Sequence, residues 1–523
     1  MLQKTKKCLL LVVLLANITH EVKAFTSNTR YGYDAYPMYS TLDPHEFMFR
    51  KERQWLKGLC QDLKYQDEQE QLSREDCTQR VRFAISPFAQ FSDRGRNIHN
   101  DEEYLGDLGG RWNMIALLFG NTPQGKNLPM SLETAKDNLF GQNIGVVSNP
   151  ELYIDPQRQF GFFSVPLKYR KYGVRFEFDV RLARDIGFCL QFGFACICQR
   201  LEDICRYYDI CSGVSCIGQE PCKSTDITKA DVICETPNCS HRSYMLPIDL
   251  TECSNTNPLP SAVPANSGIT QLENTDVQFY LMNQLHAIAK DLGLDICNFN
   301  KGSVEDVRFN LYWRHAIEIN EDADKQHWAH FLFIPFLEAC FTAGVADCLD
   351  TSVMLSAPFG NNGHHSIGVN GGFLVDFTET VELGFEAGVT HFFSKSFSCY
   401  RVPNSIHQSG IYPFTTSVTV CPGLNCHLSL KLASFHFLSK LSTYFQYIMV
   451  MHKDDQICLC KPDPAFKPCV LERHSCWKTH LANIGFNYDI SPNVTLGFLW
   501  QAPLSQKRAV RASTVMASIN FAY

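Results

Sequence analysis

After a short N-terminal stretch, the chain has no apolar run long enough to cross a bilayer as a helix. The nearest is residues 330–346 (HFLFIPFLEACFTAGVA), which Pro335 and Glu338 interrupt. Any membrane crossing would have to use strands, because only helices and closed barrels satisfy their own backbone polar groups in lipid. Catalytic signatures are missing as well. There is no G-x-S-x-G, no H-E-x-x-H and no phosphate-loop pattern. The 17 histidines and the many carboxylates fall at no spacing that selects a nucleophile, a base or a metal set. No reaction, cofactor or metal is therefore expected. Positive charge is also in short supply, with a formal net charge of −7, which argues against a nucleic-acid partner. No solenoid or propeller period is present.

The first 24 residues read as an export leader. Lys4, Lys6 and Lys7 form a basic head, Cys8–Ala16 (CLLLVVLLA) a short apolar core, and Val22-Lys23-Ala24 a cleavage box. Cys8 has no small-residue box before it, so a lipoprotein signal is not read. Losing this leader removes four lysines and one glutamate, which leaves 43 cationic side chains against 53 acidic ones. Of the 23 cysteines, 22 remain. In an oxidising compartment an even, large number reads as disulfides, although the connectivity cannot be derived from one sequence.

Period-two alternation is the dominant pattern. In residues 79–91, Val81, Phe83, Ile85, Pro87, Ala89 and Phe91 face one way, and Arg80, Arg82, Ala84, Ser86, Phe88 and Gln90 the other. Residues 173–183 set Val174, Phe176, Phe178, Val180 and Leu182 against Arg175, Glu177, Asp179 and Arg181. Residues 307–320 set Phe309, Leu311, Trp313 and Ile317 against Arg308, Asn310, Tyr312, Arg314 and Glu318, with His315 breaking the apolar side. Further strands are expected at 160–170, 186–198, 328–340, 366–378, 381–393, 428–438, 442–452, 478–490, 493–502 and 510–523, with ambiguous segments near 111–119 and 411–421. The three quoted strands are longer than the five or six residues of an ordinary strand and reach the roughly 9–11 that a tilted membrane crossing needs.

Two architectures fit such strands. In a soluble sandwich the apolar face packs inward and the charged face meets water. In an outer-membrane barrel the apolar face meets lipid and the charged face lines a wet lumen. The chain ends ASTVMASINFAY, with Val515, Ala517, Ile519, Phe521 and Tyr523 on one side. That ending resembles the closing strand of bacterial outer-membrane barrels, and the resemblance makes Phe521 and Tyr523 the signal read by the barrel insertion machinery. The fold expected is therefore all-β: a transmembrane antiparallel β-barrel of about 12–16 strands, with a disulfide-rich loop subdomain and one or two short helices. Short links near 171 and 184 follow one another, which departs from the alternation of short turns and long loops usual in porins.

The domains expected are a leader (1–24), an N-terminal periplasmic arm (25–78) and the barrel (79–523), interrupted by a cysteine-rich subdomain (199–306). The arm should hold a helix from Pro44 to about Leu72, capped by Asp43, lying in the periplasm or folded back against the barrel. The subdomain should hold a second, Val277–Leu292, with Asp276 as cap, Gly293 at its end and Leu281, Leu285, Ile288 and Leu292 as its buried stripe. Cys196, Cys198, Cys205, Cys211, Cys216, Cys222, Cys234, Cys239 and Cys253 crowd the start of that subdomain. Cys340 and Cys348 flank another loop, Cys399, Cys421 and Cys426 lie in a third, and Cys458, Cys460, Cys469 and Cys476 in a fourth. All are expected in disulfides. Cys196-Ile-Cys198 and Cys458-Leu-Cys460 also have spacings that can bind zinc, but export favours disulfides. His364-His365 reads as a solvated turn.

The candidate functional residues are the polar sides of the strands: Arg80, Arg82, Arg175, Glu177, Asp179, Arg181, Arg308, Arg314 and Glu318 as lumen wall, since rings of charge bias what passes a pore. Leader, long alternating strands, cysteine-bearing loops and terminal Tyr523 together resemble the cysteine-rich major outer-membrane porins of chlamydia-type bacteria, over residues 79–523. The resemblance implies passive diffusion of small solutes through the outer membrane and an envelope stiffened by disulfides. It also implies contact with outer-membrane lipid, and a homo-trimer or disulfide-linked neighbours. A plugged structural or adhesive barrel and a secreted soluble disulfide-rich all-β protein remain open beside it.

Overall fold

The computed structural model describes Thr41 and most of residues 81–523. Outside the described residues lie 1–40, 42–80, 141–161, 202–283 and 319–330, together with stretches of one to three residues elsewhere. The leader, the Pro44–Leu72 helix, Arg80 and most of the cysteine-rich subdomain fall there.

Twelve antiparallel strands close into a barrel. They are β1 (Val81–Ser92), β2 (Leu167–Arg181), β3 (Ile186–Leu201), β4 (Val307–Arg314), β5 (Phe331–Ala343) and β6 (Ser366–Phe377). There follow β7 (Val381–Phe392), β8 (Asn425–Leu438), β9 (Leu441–His452), β10 (Trp477–Ser491), β11 (Val494–Lys507) and β12 (Ser513–Ala522). Closure is made by the two ends of the chain. Phe83 pairs with Phe521 and Phe91 with Ser513, and the backbones of Val81 and Tyr523 exchange hydrogen bonds of 3.0 and 2.8 Å. A closed ladder leaves no unpaired edge.

β4 is the irregular strand. Phe299–Val304 precedes it along the same side of β3, and Ile317–Glu318 follows it along β5. Between Val304 and Val307 the alternation fails, and Glu305 and Asp306 are both buried. This bulge turns two successive carboxylates to the same side.

The strands keep the sequence's alternation, apart from a change of phase in β11 between Gln501 and Gln506, and it places the faces as a membrane barrel does. Outward side chains include Phe178, Leu311, Leu383, Leu432, Phe445, Phe486, Phe498 and Ile519, all exposed. Inward ones include Arg82, Asp179, Asn483 and Asn487, at 0–1% exposure. A soluble sandwich would have the reverse. Soluble monomers rarely expose contiguous apolar patches beyond a few hundred Å2, because each Å2 costs about 25 cal/mol in water.

Connections alternate between the two ends. At one end β2 and β3, β6 and β7, β8 and β9, and β10 and β11 follow one another within a few residues of chain, with the wider gap between β4 and β5 beside them. The opposite end carries the long links 93–166, 202–298, 344–365, 393–424 and 453–476 and the short 508–512. The expected pair of consecutive short links is therefore corrected. Residue 171 lies inside β2, which joins the two segments read as 160–170 and 173–183. Gly173 punctuates the sequence there because a Cβ would lie 2.0 Å from the Phe194 carbonyl oxygen on β3.

The ambiguous segments belong to the long loops. Residues 111–119 give a short strand, Trp112–Asn113, and the helical turn Ile115–Leu118. Residues 411–421 give Phe414–Cys421, the middle strand of a separate three-stranded sheet with Lys395–Val402 and Gln456–Leu459. That sheet has its own core of Tyr400, Val402, Phe414, Val418, Val420 and Ile457. Helices are more numerous than the one or two expected: Ile115–Leu118, Met130–Phe140 and Pro468–Glu472, with a further helical stretch in residues 284–291. The last is the described part of the helix expected at 277–292. Leu285, Ile288 and Leu292 are buried as its stripe requires, and Gly293 ends it at φ +64°.

Candidate functional site

The interior of the barrel gathers the polar faces, and its two walls differ in chemistry. Strands β1–β4 present charge. At the tight-turn end the Arg82 guanidinium contacts the Glu177 carboxylate and lies 3.4 Å from Asp179 Oδ2. Tyr312 donates its hydroxyl to Asp179 Oδ1 at 2.5 Å, and Arg314 lies over the Tyr312 ring at 4.0 Å. Further along, Glu305 accepts two hydrogen bonds from Arg175, at 2.7 and 2.9 Å, and one ion pair from Lys171 at 2.7 Å. The Arg175 guanidinium stacks over Phe88 at 4.1 Å. The β-bulge makes this cluster: regular alternation would have sent one of Glu305 and Asp306 outward.

Strands β8–β12 present mostly amides and hydroxyls, with Lys431 on β8 and Asp489 on β10 as charged exceptions. Asn483 donates to Gln446 at 3.0 Å, and Gln446 donates to Ser429 at 2.8 Å, so one row runs across β10, β9 and β8. Asn520 donates to Ser518 at 3.0 Å, and Thr495 to Asp489 at 2.7 Å. Lys431 on β8 pairs with Glu382 on β7 at 3.2 Å. Buried charges that are mutually paired tolerate a partly dry interior, whereas single ones would not.

The interior also holds a residue from the N-terminal arm. Thr41, fully buried, donates to Asn487 Oδ1 at 3.2 Å, accepts at its carbonyl from Asn487 Nδ2 at 3.4 Å, and shares a hydrogen bond with Ser518. Gly497 makes the room: a Cβ there would lie 1.6 Å from the Thr41 hydroxyl. Thr41, the one described residue of the arm expected in the periplasm or folded back against the barrel, lies within the barrel.

At the long-loop end the inward faces of β1–β3 turn apolar. Phe88, Leu167, Tyr169, Ala195 and Ile197 join one cluster with loop residues Leu105, Leu108, Trp112, Leu117, Leu132, Leu285, Ile288, Phe359 and Ile411. Arg401 ties these loops together. Its guanidinium donates to the carbonyls of Thr351 (2.7 Å), Tyr412 (3.1 Å) and Leu292 (2.8 Å). The Leu292 bond also caps the carboxyl end of the 284–291 helix. The loops thus pack onto the mouth of the barrel.

Of the residues expected on the lumen wall, Arg82, Arg175, Glu177, Asp179 and Arg314 are buried inside the barrel and Arg181 and Arg308 half-buried. The side chains of Arg80 and Glu318 lie outside the described residues. Lys171, Cys189, Glu305, Asp306, Asp376, Glu382 and Lys431 were missed and are buried there too. Asp376, Glu382 and Lys431 each stand as a single charge between apolar neighbours, so period two alone could have found them. Lys171 was hidden by the false break in β2, and the acidic pair by the bulge.

Twelve cysteines are among the described residues. Cys189, Cys196, Cys198, Cys340, Cys348, Cys399, Cys421, Cys426, Cys458, Cys460, Cys469 and Cys476 all carry free thiols, and no disulfide joins any described pair. Cys196 and Cys198 belong to β3, Cys340 to β5 and Cys426 to β8, so these four are spaced by the ladder instead of gathered in a loop. Cys205, Cys211, Cys216, Cys222, Cys234, Cys239 and Cys253 fall outside the described residues. His364 also departs from expectation: it is 2% exposed, while His365 faces solvent. Phe521 lies on the outward face of β12, and Tyr523 just past its end is exposed.

No family model and no curated protein matches the chain. Among solved structures it is similar to an outer membrane channel from Pseudomonas putida, at 6% identity and a TM-score of 0.41 over 87% of this chain and 100% of that one. It is also similar to the translocator domain of the autotransporter NalP from Neisseria meningitidis, at 8% identity and a TM-score of 0.29 over 93% and 100% of the two chains. A Pseudomonas aeruginosa FadL homologue aligns at 8% identity with a TM-score of 0.28, over 85% of this chain and 90% of that one.

Proposed function

We propose that the protein is an outer-membrane barrel that passes small polar solutes by passive diffusion. The observation that carries this reading is the inversion of its faces: an exposed apolar exterior around an interior of paired charges, amides and hydroxyls. Lipid removes the cost of the exterior, and water with transiting solutes satisfies the interior. Twelve strands lie between the roughly eight whose interior side chains fill and the 16–18 that leave a wide channel, so the passage is narrow. In this reading residues 1–24 direct export, Phe521 and Tyr523 engage the insertion machinery, and no catalytic step is assigned. The cysteines of the outer loops stiffen the envelope once oxidised, as in chlamydia-type porins, and the barrel works as a trimer or beside disulfide-linked neighbours.

Thr41 and the packed mouth favour a second reading, a barrel that is closed at rest and serves as an envelope scaffold. Reconstitution of the full chain into planar bilayers separates the two. Stepwise conductance in the unmodified protein supports diffusion. Insertion with a heat-dependent shift in gel mobility but no conductance leaves the closed scaffold. Recovery as a soluble protein without detergent sinks both.

A further inference from the structure

The outward face of β3 carries a donor cluster that neither reading of the lumen uses. Cys196 and Cys198 lie two residues apart on one strand, so both point to the same side. Asn300, directly across from Cys198 on the preceding piece of β4, accepts from both thiols, at 3.3 Å from Cys196 Sγ and 3.2 Å from Cys198 Sγ. Tyr172, directly across from Cys196 on β2, brings its hydroxyl to 3.9 Å from Cys198 Sγ. Two sulfurs and two oxygens from three adjacent strands thus converge, each held by its place in the ladder. The residue opposite Cys196 on the β4 side is Gly302, where a Cβ would meet nothing nearer than 3.9 Å, so space beside the sulfurs is open.

We propose that Cys196, Cys198, Tyr172 and Asn300 form a binding site for a thiophilic metal cation of the Zn2+ class on the outer surface of the barrel, near its long-loop end. Zinc binds tetrahedrally, with about 2.3 Å to sulfur, and the thiols give up their protons as it enters. Drawing the two sulfurs in from the amide oxygen they already share is a small movement of side chains on a rigid backbone. The second C-x-C pair lacks this arrangement. Cys458 faces Thr419, whose hydroxyl is 3.9 Å from Cys460 Sγ, and no further oxygen donor joins them among the described contacts.

The test uses the full chain, reduced and folded in detergent, titrated with Co2+ and then Zn2+. Thiolate-to-cobalt absorption at one equivalent per chain, bleached by Zn2+, is the expected result. The double variant Cys196→Ser/Cys198→Ser should lose that absorption, Cys458→Ser/Cys460→Ser should keep it, and Tyr172→Phe/Asn300→Ala should bind about tenfold more weakly or worse. Heat-modifiable migration verifies that each variant is folded. The proposal is overturned if folded, reduced wild-type protein gives no thiolate band, or if the Cys196→Ser/Cys198→Ser variant retains it. Loss of the band in the 458/460 variant alone overturns it too, as does peptide mapping of membrane-isolated protein that finds Cys196 and Cys198 joined to each other.

Discussion

Replacing Leu432 by arginine tests whether the outer face meets lipid. Leu432 sits midway along β8, is 48% exposed, and lies between Leu383 on β7 and Phe445 on β9, themselves 45% and 47% exposed. In water such a side chain is a surface position, and surface substitutions usually change stability by no more than about 0.5 kcal/mol. At the midplane of a bilayer an outward arginine on a barrel costs about 2–4 kcal/mol, falling to about 0–1 kcal/mol near the interfaces. At 1.4 kcal/mol per factor of ten, the midplane cost lowers the folding equilibrium constant by roughly 30- to 700-fold. Ile490, 49% exposed at the tight-turn end of β10, supplies the interfacial control. The assay is reversible folding into lipid vesicles across a urea series, read by heat-modifiable migration. Leu432→Arg should shift the midpoint strongly and Ile490→Arg weakly. Equal and negligible shifts in both would refute the membrane reading, since a water-facing surface treats the two sites alike.

Glu305→Gln should destabilise the folded barrel by about 3 kcal/mol or more, because it strips the shared carboxylate from Arg175 and Lys171 and leaves two buried cations. An unchanged urea midpoint would show that water in the lumen already solvates all three groups. His364 should make stability fall in mild acid. Its burial lowers the imidazole pKa below the ordinary 6.5, partly offset by its bond to the Phe393 carbonyl at 2.9 Å. The folded state thus binds the proton less well than the unfolded chain, so the contribution is complete above about pH 6.5. It is lost as pH falls from there through the lowered folded value. The urea midpoint should drop between pH 7.5 and pH 5.5, and His364→Gln should flatten that drop. A slope identical in both proteins would remove His364 as the cause.

Period two was legible wherever a strand kept its phase. Arg82, Arg175, Glu177 and Asp179 could be assigned to one face because apolar neighbours flank each of them, and Arg314 by its phase with Asn310 and Tyr312; the structure keeps them together inside the barrel. The same rule would have reached Glu382 and Lys431, which were missed, since a charge between two leucine-like residues has one way to face in such a strand. It failed at Gly173, which looked like a turn and is instead a point where β2 and β3 approach too closely for a side chain. It failed again at Glu305 and Asp306, where an extra residue in one strand changes the phase without any mark in composition. Cysteine number leaves the pairing open for a related reason. Free count and spacing do not say which strand a thiol rides on, and a ladder separates Cys196, Cys340 and Cys426 as firmly as a loop might join them.

By itself, the sequence determined that this chain makes long two-faced strands and ends on one of them, because alternation is a local property carried by successive residues. Which face is outside, that β12 closes on β1, and that Thr41 comes to lie against Asn487 and Ser518 were decided only in the tertiary structure. The reason is that apolar and polar faces are equally well separated in a sandwich and in a membrane barrel. Only the pairing of residues hundreds of positions apart in sequence chooses which of them is enclosed.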